Sequence, residues 1–146
     1  MVHEKMKLKI LEKISKDLSV HIEQLFTELL NQQKTDYQLQ DVIDFYLSDQ
    51  NKDTGLIKMS NKTSEVVNTK RDIVFIYYCL SCPFYRELGV KANLPKQRRE
   101  NLSAALNLSR KNIQEYLISA KHQFRFYSDY REMIERNILQ HLKYNN

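Results

Sequence analysis

Two glycines and two prolines in 146 residues restrict this chain more than any other feature of its sequence. Gly and Pro are the strongest local interrupters of regular structure. A chain this poor in them forms long helices easily and cannot supply the many tight turns of an all-β fold. Hydrophobic residues make up 42%, enough to bury a core, and the length fits one domain of ordinary size, with room for an N-terminal extension. The expected fold is all-α, with five to six helices.

Apolar spacing places them. Met6, Ile10, Leu11 and Ile14 form one stripe, and Leu18 to Leu30 continues it. Asp17–Ser19 is either a break capped by Ser19 or the middle of one helix. Leu39, Val42, Ile43, Tyr46 and Leu47 share the face of a further helix. Residues 48–69 are polar and turn-rich. Leu56-Ile-Lys-Met and Ser64-Glu-Val-Val could pair as a small β-hairpin at about 56–67, or the segment could be a connector. Lys70 to Leu80 is apolar nearly all round, the mark of a central buried helix. Pro83 resets the chain and Gly89 stops the next short helix. Asn93-Leu-Pro95 opens a basic helix, and Asp129 is positioned to cap a last one, from Tyr130 to about Tyr144. The organisation expected is an N-terminal helical segment at 1–49, a connector or hairpin at 50–68, and a C-terminal domain at 69–146.

Charge is polarised along the chain. Residues 1–69 hold nine Lys, no Arg and eleven acidic residues, a net of −2. Residues 70–146 hold six Lys, eight Arg and seven acidic residues, a net of +7. Arg is the residue best suited to planar contacts with phosphate and guanine, and a one-sided basic half is the pattern of a nucleic-acid footprint.

Within that half, Leu102-Ser-Ala-Ala-Leu-Asn-Leu-Ser-Arg-Lys-Asn-Ile-Gln-Glu-Tyr-Leu117 reads as a helix, a tight turn and a second helix. Leu102, Leu106, Leu108, Ile113, Tyr116 and Leu117 take core positions. Ser103 is small where two helices cross. Asn107 sits where the turn needs a left-handed backbone, and Ser109 is a good N-cap. These residues resemble the helix-turn-helix superfamily of bacterial and phage DNA-binding proteins, with Asn107 in place of the usual Gly and Leu108 in place of Val. The order of elements is also similar to the C-terminal DNA-binding domain of the bacterial replication initiator, of the Trp-repressor-like group. That family carries Gly-Gly-Arg-Asp-His-Thr-Thr at the turn. Here only Arg110 corresponds, so neither its target nor a replication role carries over. With no nucleotide-binding loop, an ATP-driven initiator is excluded.

The resemblance implies double-stranded DNA as partner, a role in transcription or replication, and two half-sites read by a homodimer whose N-terminal helices pair. Ser109 would hold phosphate at a helix N-terminus. Arg110 and Lys111 would meet phosphate or a guanine edge, and Asn112 and Gln114 an adenine. Arg98 and Arg99 would clamp the backbone, Lys121 and Arg125 would face solvent beside flanking phosphates, and Lys70 and Arg71 are further candidates. The competing reading is a helical protein-interaction module. Exposure of Arg110, Asn112 and Gln114, with Arg98 and Arg99 beside them, separates the two.

Other chemistry finds little support. Cys79-Leu-Ser-Cys82 lacks the strand-to-helix setting of a redox pair. His3, His21, His122 and His141 stand at no metal-ligand spacing. The aromatics from Tyr77 to Tyr130 recur at helical spacing, as core residues do. No phosphate loop, serine elbow or working pair of carboxylates is visible, so neither an enzyme, a cofactor, a metal nor a small-molecule ligand is expected. The longest apolar stretch, Ile73–Leu80, is too short to span a membrane. The opening residues lead into an amphipathic pattern rather than an apolar block, from which a cytoplasmic protein is expected.

Overall fold

The computed structural model describes residues 2–145. Among them are seven α-helices, one short 3₁₀ turn and no strand. The helices are α1 (Val2–Lys34), α2 (Leu39–Asp49), α3 (Ser64–Ser81), α4 (Pro83–Leu88), α5 (Lys96–Leu106), α6 (Arg110–Phe126) and α7 (Ser128–Asn145). The chain divides into two compact units, residues 1–34 and 35–146.

The first unit is α1 alone. Asp17–Ser19 does not break it, because nothing there removes a backbone donor or demands a left-handed φ.

In the second unit, α3 is the centre. Every residue from Ile73 to Leu80 is at most 3% exposed. Such full burial is worth about 1.5–3 kcal/mol for each large apolar side chain. Helices α2, α4, α5, α6 and α7 all pack on α3, which explains why its sequence is apolar on every side. Phe75 meets Tyr78, Tyr85 and Phe124 at ring separations of 5.5–6.5 Å. Because α2 packs on both α3 and α7, the expected division at 50–68 is displaced to residue 34, and α2 belongs with the basic half.

Of the two readings of residues 56–67, the hairpin does not form. Thr54–Lys58 is a 3₁₀ turn whose Asp53 side chain accepts the Gly55 amide. Thr63 then caps α3, its hydroxyl accepting the Val66 amide. Ser64-Glu-Val-Val is thus the first turn of α3, with Val66 buried. A β-branched residue fits either state, and here the cap decides.

Lys70, buried within α3, donates to the Met59 carbonyl at 2.8 Å and the Asn61 side-chain oxygen at 2.7 Å. Burial lowers its pKa. A neighbouring buried carboxylate, Asp72, accepts hydrogen bonds from Tyr46 of α2, Tyr130 of α7 and Arg71. Between α2 and α7, Arg136 grips Asp49 through two hydrogen bonds of 2.9 Å. Those bonds hold the Asp49 carboxyl below its ordinary pKa.

Candidate nucleic-acid interface

Helix α5 opens after Pro95 and ends at Asn107, whose φ of 52° and ψ of 58° are left-handed. The amides of Asn107 and Leu108 both return to the Ser103 carbonyl, closing the helix in the manner of an αL cap. Leu108 then turns inward, 5% exposed. Ser109 opens α6 with a reciprocal capping box. Its hydroxyl accepts the Asn112 amide at 3.1 Å, and the Asn112 side-chain oxygen takes both the Ser109 amide and hydroxyl. The turn is therefore held by local bonds on both sides. Leu102, Leu106, Leu108, Ile113 and Tyr116 are all buried.

Ser109→Ala removes half of this box. It is expected to cost about 1 kcal/mol and to lower the melting temperature by roughly 3–5 °C. Thermal circular dichroism checks this, and an unchanged melt would show that the box carries no stability.

Around this frame the sequence-derived candidates separate. Arg110, Lys111 and Gln114 are exposed on the first turns of α6. Lys111 approaches Glu115 at 4.0 Å, both side chains largely in solvent, a contact of little energetic consequence. Arg99 and Lys121 join Arg110 and Gln114 along a groove of ≈ 540 Å³, whose apolar floor includes Ile113 and Leu117. Lys121 is half-buried rather than facing solvent. Its ammonium lies 4.8 and 4.7 Å from the ring centres of Tyr78 and Tyr85, and burial lowers its pKa. The cation–π contact fixes its position at the groove. Arg125 is exposed, stacked over Phe126 at 5.3 Å.

Four candidates serve the fold. Lys70 is in the core and leaves the set. Arg71 is paired with Asp72 at 3.1 Å and lies over the Tyr130 ring. Arg98 donates to the Thr35 carbonyl at 2.7 Å, tying α5 to the start of this unit. Asn112 is half-buried and its side-chain oxygen is committed to the cap. The sequence reading missed one residue: Lys91, from the loop before α5, lines the same groove. Its only sequence signal was its place in a short loop leading to a basic helix.

The apolar cleft of ≈ 500 Å³ beside α4 and α7 includes Cys79 and has Arg86, Glu87 and Glu135 as its charged lining. Arg86 is held by the Cys79 carbonyl and Glu87. Burial raises the thiol pKa of both Cys79 and Cys82, the latter to about 11, so neither is an activated nucleophile at neutral pH. Among the described residues, no group of three or more His, Cys, Asp or Glu is placed to hold a metal ion. Likewise, none of the described helices is long and apolar enough to cross a membrane. No family model, curated protein or solved structure matches this chain.

Proposed function

We propose that this protein binds double-stranded DNA through α5, the 107–109 turn and α6, with α6 as the reading helix, and acts as a regulator of transcription or replication. One observation carries the reading. The residues a helix-turn-helix keeps inside are buried, while Arg110, Lys111 and Gln114 stand exposed at the start of α6. Arg110 and Gln114 are one turn apart on the same face. The α6 N-terminus adds unpaired backbone amides, which favour a phosphate. Arg99, Lys91 and Lys121 extend the positive edge along the groove. In this reading Arg110 and Gln114 approach base edges, Lys111, Arg99 and Lys121 meet phosphates, and Arg125 reaches a flanking phosphate. Asn112 holds the helix start rather than a base.

Binding of the full chain to random-sequence duplex across a salt series tests this. About four phosphate contacts give a slope of roughly −3 to −4 in log K against log salt. Lys111→Ala, which removes a phosphate contact, is expected to weaken binding across all sequences and flatten the slope by about one, while Arg110→Ala/Gln114→Ala is expected to lower discrimination between sequences selected from a random pool and their competitors. No binding at low salt overturns the reading and leaves the protein-interaction alternative.

A further inference from the structure

Helix α1 carries an apolar stripe that nothing on that helix can satisfy. Leu8, Leu11, Ile14, Leu18, Ile22 and Leu25 fall within a 120° arc, given 100° per residue. Each is 42–62% exposed. Helices of this kind derive most of their stability from packing such a face, and a contiguous exposed apolar patch on a soluble protein marks an interaction site.

Two patterns identify what covers it. The first is the stripe's own symmetry. Leu8 and Leu25, and likewise Leu11 and Ile22, are equidistant from a point between residues 16 and 17, with Ile14 and Leu18 flanking that point. A second α1 running in the opposite direction therefore sets Leu8 against Leu25 and Leu11 against Ile22, with Ile14 and Leu18 of both copies gathered beside the axis. The second pattern is charge, which changes sign at the same point. Residues 2–16 hold five Lys and two Glu, net +3. Residues 17–33 hold Asp17, Glu23 and Glu28 and no Lys or Arg, net −3. The helix dipole does not account for this segregation. It acts on the terminal turns alone, where Glu4 and Lys34 already have the favourable signs. Antiparallel pairing sets each basic half alongside the partner's acidic half. Parallel pairing would stack like charge on like charge.

We infer that α1 is a homodimerisation helix, pairing antiparallel with α1 of a second copy about a two-fold axis at residues 16/17. The inference does not depend on DNA binding. Six half-exposed aliphatic side chains present roughly 500–600 Å² per helix, so a symmetric pair covers on the order of 1,100 Å², enough for a specific interface. A symmetric pair of this kind is also isologous and closed, which limits assembly to two copies.

The test uses the full chain without DNA. Sedimentation equilibrium at about 100 μM is expected to give twice the 17.5 kDa chain mass. Leu18→Glu places a charge beside the axis, where it meets its own copy, and is expected to shift the dimer constant at least 100-fold toward monomer. The thermal melt of residues 35–146 should not change. Orientation is read from His3→Cys carrying a nitroxide label, the buried Cys79 and Cys82 thiols being poorly reactive. Antiparallel pairing sets residue 3 opposite residue 30, so the two labels lie roughly 40 Å apart at 1.5 Å per residue. A separation under about 20 Å means parallel pairing and overturns the proposal. A monomer at 100 μM also overturns it, as does a monomer that sediments with phosphatidylglycerol vesicles, which would assign the stripe to a lipid surface.

Discussion

Asp72→Ala is expected to destabilise residues 35–146 by about 3–5 kcal/mol, more than any other single change to a polar residue here. The carboxylate is 5% exposed and lies within α3. One oxygen accepts the Tyr46 hydroxyl from α2. The other accepts the Tyr130 hydroxyl from α7 at 2.8 Å and the Arg71 guanidinium at 3.1 Å. Three helices thus meet at one charge. Removing it leaves two phenols without their acceptor and a half-buried guanidinium without its counter-ion. Breaking a buried pair from one side costs about 3–5 kcal/mol, because the remaining partner stays desolvated. In a domain of this size that is a fall of roughly 10–20 °C in melting temperature. Tyr46→Phe and Tyr130→Phe each remove one donor and are expected to cost about 1 kcal/mol. In a double-mutant cycle with Asp72→Ala their effects should largely vanish, since the acceptor is already gone. Additive losses, or a cost below 1 kcal/mol for Asp72→Ala, would show that the three groups do not act as a unit.

Local chemistry was legible in the sequence, and long-range pairing was not. The start and end of α5, the left-handed Asn107, the Ser109 cap and the stop at Gly89 each rest on residues within four positions of one another. The central place of α3 also followed from its apolar run. Lys70, Arg71 and Asp72 open that same run, and their roles depend on groups far away in sequence. Asn61 and Met59 reach Lys70 from a turn before the helix. Tyr130 reaches Asp72 across 58 residues. No periodicity reports such partners, so a basic pair at a helix start read as a surface. Asp72 itself left a trace: a lone carboxylate in a run that is otherwise buried needs a partner. Asn112 shows a different failure. Its spacing from Ser109 is that of a capping box, yet an adenine-reading role looked equally available for the same amide. At 56–67, Val66 and Val67 suited a strand by propensity, and the Thr63 cap settled the matter through one hydrogen bond.

Above about pH 10.5 the domain is expected to lose helix cooperatively, because its buried phenols and thiols ionise more readily in the unfolded chain than in the folded one. Burial raises the pKa of Tyr37, Tyr46, Tyr78, Tyr85, Tyr116 and Tyr130, and the Asp72 charge adds to the shift at Tyr46 and Tyr130. Cys79 and Cys82 are raised from 9.0 by burial as well. A group whose folded pKa lies above its unfolded value stabilises the fold fully below the unfolded value. That contribution is then lost as pH rises. The loss begins near pH 9 for the thiols and near pH 10 for the phenols, at about 1.4 kcal/mol per pH unit for each fully shifted group. Lys70 and Lys121 act in the opposite sense. Their folded pKa is lowered, so the unfolded chain holds more protons and stability rises with pH until about 10.5. They delay the onset and then cease to oppose it. Past that point the raised thiols and phenols act together against a total stability of order 5–15 kcal/mol, so the fold weakens steadily as the pH rises. Tyrosinate absorbance should therefore appear in step with loss of the helical circular dichroism signal. Cys79→Ala isolates one component. It should lose less of its pH 8 stability by pH 11 than the unmodified chain does, a difference on the order of 3 kcal/mol from about two pH units of one group's ionisation. Tyrosinate forming near pH 10 with the helices intact would mean that the phenols around α3 reach water without unfolding, contrary to their packing.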